Sequence, residues 1–243
     1  MQNISLLILA LALIPAAVLM VLMLIRDKEH PEPSQWIIRG LFYGIASAFA
    51  SMLISGPMLL AGLVPQNYSN WFEAMLNSFG AAAIPEETAK LCFLWLLLRK
   101  NPYFDEHLDG IVYAACIGLG FAAFENITYL FAAGDEWLVT GLVRGLLSVP
   151  AHFFFAVLMG YYYSLVHFGH NTNRNRILVW AAPVLAHGIY DTIAMTQSVS
   201  EGLEAVFGIA LLLFCNELRK LGQRHIRELA DADHSVYNKN PNS

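Results

Sequence analysis

Two adjacent glutamates, Glu86 and Glu87, stand inside the apolar stretch AAAIPEETAKLCFLWLLL, residues 81–98, and Lys90 follows one turn later. A charge at the centre of a bilayer costs about 2.5–3.5 kcal/mol even on a mild insertion scale, so three together ask for a reason. Other apolar runs carry Asp109, Glu125, Arg144, His152, His187 and Asp191. Glu86 and Lys90 are i,i+4 and share a helix face, as do His187 and Asp191 in HGIYD. In FAAFEN, Phe121 precedes Glu125 by one turn, and Asn126 adds a neutral donor and acceptor. Four acids (Glu86, Glu87, Glu125, Asp191) thus have one nearby fixed cation, Lys90. Like charges in a low-dielectric pocket cannot all ionise, so either protons are shared or a divalent cation supplies the missing charge. His152 and His187 beside carboxylates could make a zinc-type donor set. The spacing EExxK is not the helical HExxH zinc motif. Asp109 reads as a cap at a helix start, and Arg144 as an outer-end residue able to snorkel.

The elements that must position these groups follow from composition. Of 243 residues, 57% are hydrophobic and 14% charged, and mean hydropathy is +0.51. Soluble domains carry nearer a quarter charged residues. The apolar residues lie in seven runs of spanning length, roughly 4–25, 36–63, 72–98, 108–132, 141–166, 177–197 and 202–218. Lipid-exposed backbone must satisfy its own hydrogen bonds, so these are helices. The fold class is all-α, a polytopic bundle of about seven transmembrane helices. SGP at 55–57 suggests a kink or a short interfacial piece in the second run. The first run lacks a basic leader and ends in Arg26 and Lys28, which predicts a retained helix. Lys and Arg alternate between loops: Arg99, Lys100, Arg174, Arg176 and the tail are basic, whereas the stretches near 64–73, 132–141 and 196–201 have none. That pattern predicts N-outside and C-cytoplasmic. One helix-bundle domain over 1–219 is expected, with its motif-bearing core at about 72–197, followed by a partly disordered polar cytoplasmic tail, 220–243. The tail's basic residues suit topology and anionic lipid in the bilayer, not nucleic acid. Cys92, Cys116 and Cys215 are dispersed in apolar runs, which excludes a CxxC metal or redox site. Nothing in the sequence specifies an oligomeric state.

At 1.5 Å per residue, Glu86, Glu125, His152, His187 and Asp191 lie about 15–25 Å from the inner ends of their helices. Polar groups on four helices therefore fall in one layer. Pro85, Pro150 and Pro183 precede three of them. Proline frees a helix carbonyl, which is tolerated in a membrane where it meets protein or water, so a hydrated cavity is expected at this depth.

The ordered set EETAK (Glu86, Glu87, Lys90), FAAFE (Phe121, Glu125), His152 and HGIYD (His187, Asp191) resembles the PrsW family of intramembrane proteases, related to the CAAX prenyl endopeptidases. The likeness covers about 80–195. CAAX-type relatives usually carry His where this chain has Glu125, and Asn or a similar residue where it has Asp191. The resemblance implies an endopeptidase, glutamic-type or metalloprotease-like, acting in the cell membrane. The implied substrate is a single-span regulatory protein such as an anti-sigma factor, cut in the middle or outer half of the bilayer. The implied catalytic set is Glu86, Glu87, Glu125, His152, His187 and Asp191, with Glu86 as general base and Lys90 and Asn126 in support. Glu125, His152 and His187 would hold a divalent metal such as Zn if one is bound, and Lys90 would pair with Glu86. The alternative is a proton- or ion-coupled transporter using the same buried acids; a non-catalytic scaffold is a third reading.

Overall fold

A computed structural model describes the backbone of residues 2–239 and the side chains of 4–235. The chain forms α1 Gln2–Arg26, α2 Ser34–Leu60, α3 Trp71–Asn77, α4 Ile84–Leu98, α5 Asp109–Ala132, α6 Trp137–Val143, α7 Val149–His167, α8 Asn173–Gln197 and α9 Glu204–Lys239. A wide π-helical stretch, Ser78–Ala83, joins α3 to α4, and another, Arg144–Ser148, joins α6 to α7. All seven apolar runs are therefore helical. Five rods, Ile4–Arg26, Ser34–Leu60, Asp109–Ala132, Gly134–His167 and Asn173–Gln197, are long and apolar enough to cross a membrane. The rod at 71–98 is set apart by Glu73, Glu86, Glu87 and Lys90, and α9 by its polar second half. SGP does not break α2, which carries Pro57 within its last turn.

α5 is the axis of the bundle; α1, α2 and α7 pack on it, and α8 and α9 pack against α7 and each other. Its residues from Leu108 to Ala122 are buried without interruption. A helix apolar all round is expected in such a place. Small residues let its neighbours come close: a Cβ on Gly44 of α2 would stand 2.2 Å from the Ile117 carbonyl oxygen, and one on Gly120 would stand 2.2 Å from that of Leu41. Backbone-to-backbone approach of this kind is how membrane helices gain packing energy without a hydrophobic drive.

The end of the chain departs from the sequence expectation. In place of a partly disordered tail, α9 continues to Lys239; residues 240–243 lie outside the described residues. One face of α9 stays apolar, burying Leu218, Leu229 and Ala230. Asp233 then accepts from the His107 and Leu108 amides at 2.9 Å, satisfying donors at the start of α5. Asp109, expected as that cap, instead accepts from the Asp105 and Glu106 amides at 3.1 and 2.7 Å and closes the preceding loop.

Candidate active site

Four helices deliver the polar side chains. Pro85 and Pro150 sit in the first turns of α4 and α7, and each follows one of the two wide π turns. A proline cannot donate to the preceding turn. The chain accommodates that by widening the helix just upstream, which rotates the next residues inward. Glu86 and Glu87 follow one wide turn and His152 the other. π turns of this kind concentrate at functional positions. α8 carries Pro183 one turn before His187 without interruption.

The groups form one continuous network. Lys90 Nζ donates to Glu87 Oε1 at 2.7 Å, lies 3.6 Å from Glu86 Oε2, and contacts His152 Nδ1 at 3.2 Å. The face of the Phe121 ring covers it, with its centroid 3.9 Å from Nζ. An ammonium only donates, so His152 Nδ1 accepts and the ring proton is on Nε2, which donates to Glu125 Oε2 at 2.9 Å. Arg144 closes that end: Nη2 donates to Glu125 Oε2 at 2.9 Å and Nε to Asn126 Oδ1 at 3.0 Å. Asn126 in turn donates to the Ala12 carbonyl of α1 at 3.0 Å. At the other end, His187 Nδ1 meets Glu87 Oε1 at 2.8 Å, and Nε2 meets Asp191 Oδ2 at 3.1 Å and Glu86 Oε2 at 3.9 Å. Carboxylate oxygens face both ring nitrogens, so both donate when His187 is the imidazolium. The Phe155 ring stacks on it at 4.8 Å and 16°, fixing its plane.

Access is one-sided. Glu87, Lys90, His152 and His187 are buried, whereas the side chains of Glu86, Asp191 and Glu125 keep 14%, 18% and 20% of their exposure. Those three mark the open face. Glu86 Oε2 has no direct hydrogen bond among the described residues. That oxygen is buried, and its carboxylate belongs to the partly exposed group. Glu87 Oε1 is committed to Lys90 and His187.

The structure brings together Glu86, Glu87, Lys90, Glu125, Asn126, His152, His187 and Asp191, eight residues that the sequence singled out. Two expectations change. Lys90 pairs first with Glu87 and only loosely with Glu86, because the i,i+3 carboxylate turns toward it. Arg144 does not snorkel outward; it turns in to Glu125 and Asn126 and lies over the Tyr129 ring at 3.8 Å. A cation on the neighbouring span was the available signal, since Glu125 needs a counter-charge in oil. Ser148, at the end of the 144–148 stretch, and Tyr190 of α8 lie 3.0 Å apart through their hydroxyls and carried no sequence signal.

Among the described residues, one group of donors is close enough to hold a metal ion: Glu86, Glu87, His152 and His187 each offer an atom within 4.8 Å of the others. Two buried oxygens there, Glu86 Oε2 and Glu87 Oε2, lack direct partners. Two carboxylates and two imidazoles suit a zinc-type ion, so the donor set fits. Glu125, expected in that set, is absent from it; Arg144 and His152 Nε2 share its Oε2 atom.

Residues 32–215 match the family described as PrsW family intramembrane metalloprotease. Among curated relatives, the chain is 31% identical to Protease PrsW of Geobacillus kaustophilus over 212 residues, covering 86% of this chain and 88% of that protein. It is 35% identical to Protease PrsW of Clostridioides difficile over 193 residues, 77% of this chain and 79% of that one. For Protease PrsW of Bacillus subtilis the identity is 31%, over 79% and 84%. No solved structure matches.

Proposed function

Since the chain belongs to the PrsW family of intramembrane proteases, and so is a hydrolase of the cell membrane, we propose that it cuts a peptide bond of a single-span membrane protein with a water activated by Glu86. The observation that carries this reading is convergence: acids and imidazoles from α4, α5, α7 and α8 share one hydrogen-bonded network, in which the buried Glu86 Oε2 has no direct hydrogen bond among the described residues.

Amide hydrolysis needs a base for water, a donor for the oxyanion and a proton for the leaving nitrogen. Glu86 Oε2 takes a proton from water as its oxygen attacks the scissile carbonyl carbon. Glu87 does not serve as base; it holds Lys90 and His187 in place. His187 Nε2, between Asp191 and Glu86, supplies the donor that meets the developing oxyanion. Glu86 then gives its proton to the amide nitrogen as the C–N bond breaks. Glu125, held by Arg144, fixes the His152 tautomer. The donors that would hold a divalent ion are Glu86, Glu87, His152 and His187, and such an ion would acidify water and polarise the carbonyl. A helix hides its carbonyls in internal hydrogen bonds, so the substrate span must unwind locally at the open face. The loop charges support an N-outside orientation with seven spans, which sets the cut near mid-membrane.

The deciding assay presents single-span substrates to the full chain in nanodiscs, wild type beside Glu86→Ala and His187→Ala. Cleavage by wild type alone is expected. Cleavage by Glu86→Ala within tenfold of wild type would remove Glu86 as base.

A further inference from the structure

The four donors that suit a metal ion do not stand empty-handed around a gap. The ammonium of Lys90 faces three of them: Glu87 Oε1 at 2.7 Å, His152 Nδ1 at 3.2 Å and Glu86 Oε2 at 3.6 Å. The Phe121 ring covers its remaining side, 3.9 Å from centroid to Nζ. Lys90 is 2% exposed, so this is its seat and not a passing contact. An ion bound by His152 uses a ring nitrogen lone pair at about 2.0–2.1 Å. The Nδ1 lone pair is the one that already accepts from Lys90, and Nε2 is turned to Glu125. A divalent ion among these donors would also lie within a few ångströms of a buried ammonium, where repulsion is poorly screened.

We propose that Lys90 is the resident cation of this site: its ammonium and a divalent metal ion are alternative occupants of Glu86, Glu87 and His152, and Lys90 sets the metal affinity by having to leave. The lysine stem makes this workable. Four rotatable carbons can swing the head toward the open face while the helix stays in place. The inference concerns what fills the donor set, and it stands whether or not Glu86 is the base.

Occupancy can be read without substrate. The full chain in detergent is titrated with Zn²⁺ by calorimetry, with metal content after dialysis counted by mass spectrometry. Lys90→Met keeps the stem and removes the charge; it is expected to bind one Zn²⁺ about 10- to 100-fold more tightly than wild type. Lys90→Arg keeps a cation and is expected to stay at the wild-type affinity. Adding His152→Ala to Lys90→Met is expected to abolish the gain. Equal affinities for wild type and Lys90→Met would overturn the proposal, as would a gain in Lys90→Arg matching that of Lys90→Met. Should Lys90→Met not fold, wild type decides alone. One equivalent of metal retained through dialysis against a chelator, and lost in His152→Ala, overturns the proposal; metal released by that dialysis supports it. Failure of the protease reading would appear instead as no substrate cleavage by wild type, an independent result.

Discussion

Two groups of buried acids sit at different depths of this bundle, and they are balanced by different means. Around Glu86, Glu87 and Glu125, two fixed cations are built in: Lys90 serves Glu87 and Glu86, and Arg144 serves Glu125. At the other end, where α1 finishes and α5 begins, Asp27, Glu32 and Asp109 gather against Tyr113. There the Tyr113 hydroxyl donates to Glu32 Oε2, and burial raises the carboxyls of Glu32 and Asp27 above their ordinary values. Asp27 Oδ2 and Asp109 Oδ1 have no direct partner among the described residues. The first group uses lysine and arginine to hold acids at membrane depth; the second uses protons. A cation-balanced group keeps its geometry across pH and suits chemistry at a fixed carboxylate. A proton-balanced group must respond to pH. The lesson is that two groups of buried acids are told apart by what balances their charge.

The sharpest way to break the comparison is to remove acids from the cation-balanced group. Glu86→Gln should lower the cleavage rate about 10²- to 10⁴-fold, as expected for loss of a general base. The fold should survive, because Glu86 Oε2 has no direct hydrogen bond to lose. Glu87→Gln should act on stability as well, stranding Lys90 without its 2.7 Å partner. Breaking a buried pair costs about 3–5 kcal/mol, roughly 10 °C in unfolding midpoint for a chain of this size. A Glu87→Gln protein as stable as wild type would mean that Lys90 is not carried by Glu87. The two centres would then differ less than their geometry implies.

A smaller effect is expected at Arg144. Arg144→Met leaves Glu125 to His152 alone and frees Asn126 from the 144–148 stretch. Residues that orient ligands from behind are typically worth about 10- to 100-fold. Arg144→Lys should recover part of the loss by restoring charge without the two-point grip. A Met variant with full activity, measured in the same nanodisc assay, would reduce Arg144 to lipid-facing decoration.

These residues also show what sequence could and could not reveal. The seven apolar runs became helices because run length alone dictates them in lipid. Glu86, Glu87, His152, His187 and Asp191 were legible because a charge or imidazole at membrane depth is costly wherever it points. Partner choice was not legible. Whether Lys90 turns to the i−3 or the i−4 carboxylate depends on how the π turn at 78–83 rotates α4, and no spacing rule encodes that rotation. Arg144 was misplaced for the same reason: its distance from the helix end suggested snorkelling, but the turn at 144–148 aims it inward. The continuation of α9 was hidden because a helix with a charged outer face reads locally as a tail. Only its docking partner, the start of α5 beneath Asp233, reveals its purpose.

The mildest test sharpens the comparison from the proton-balanced side. Asp27 lies just beyond the last turn of α1 and is 3% exposed. Burial pushes its carboxyl up from 3.8 to about 7, with the charge of Glu32 adding and a hydrogen bond from the Glu32 amide subtracting. Glu106 and Asp233 also raise it, while Arg26, Lys28, His30 and His234 line the same cavity. The sign follows from linkage: the folded chain keeps a proton that the unfolded chain gives up above its ordinary value. The contribution of Asp27 is therefore fully present below about pH 4, erodes as pH rises, and is gone above about pH 7, where the profile levels. Asp27→Asn has no charge to develop and lacks that slope. Unfolding midpoints in one detergent at pH 5, 6, 7 and 8 should show the variant gaining on wild type as pH rises, by about 2–4 °C for each kcal/mol, with the gap constant above pH 7.5. Parallel curves would mean that Asp27 is ionised throughout and that an unseen cation balances this end of the bundle too, so that both acid clusters obey one rule.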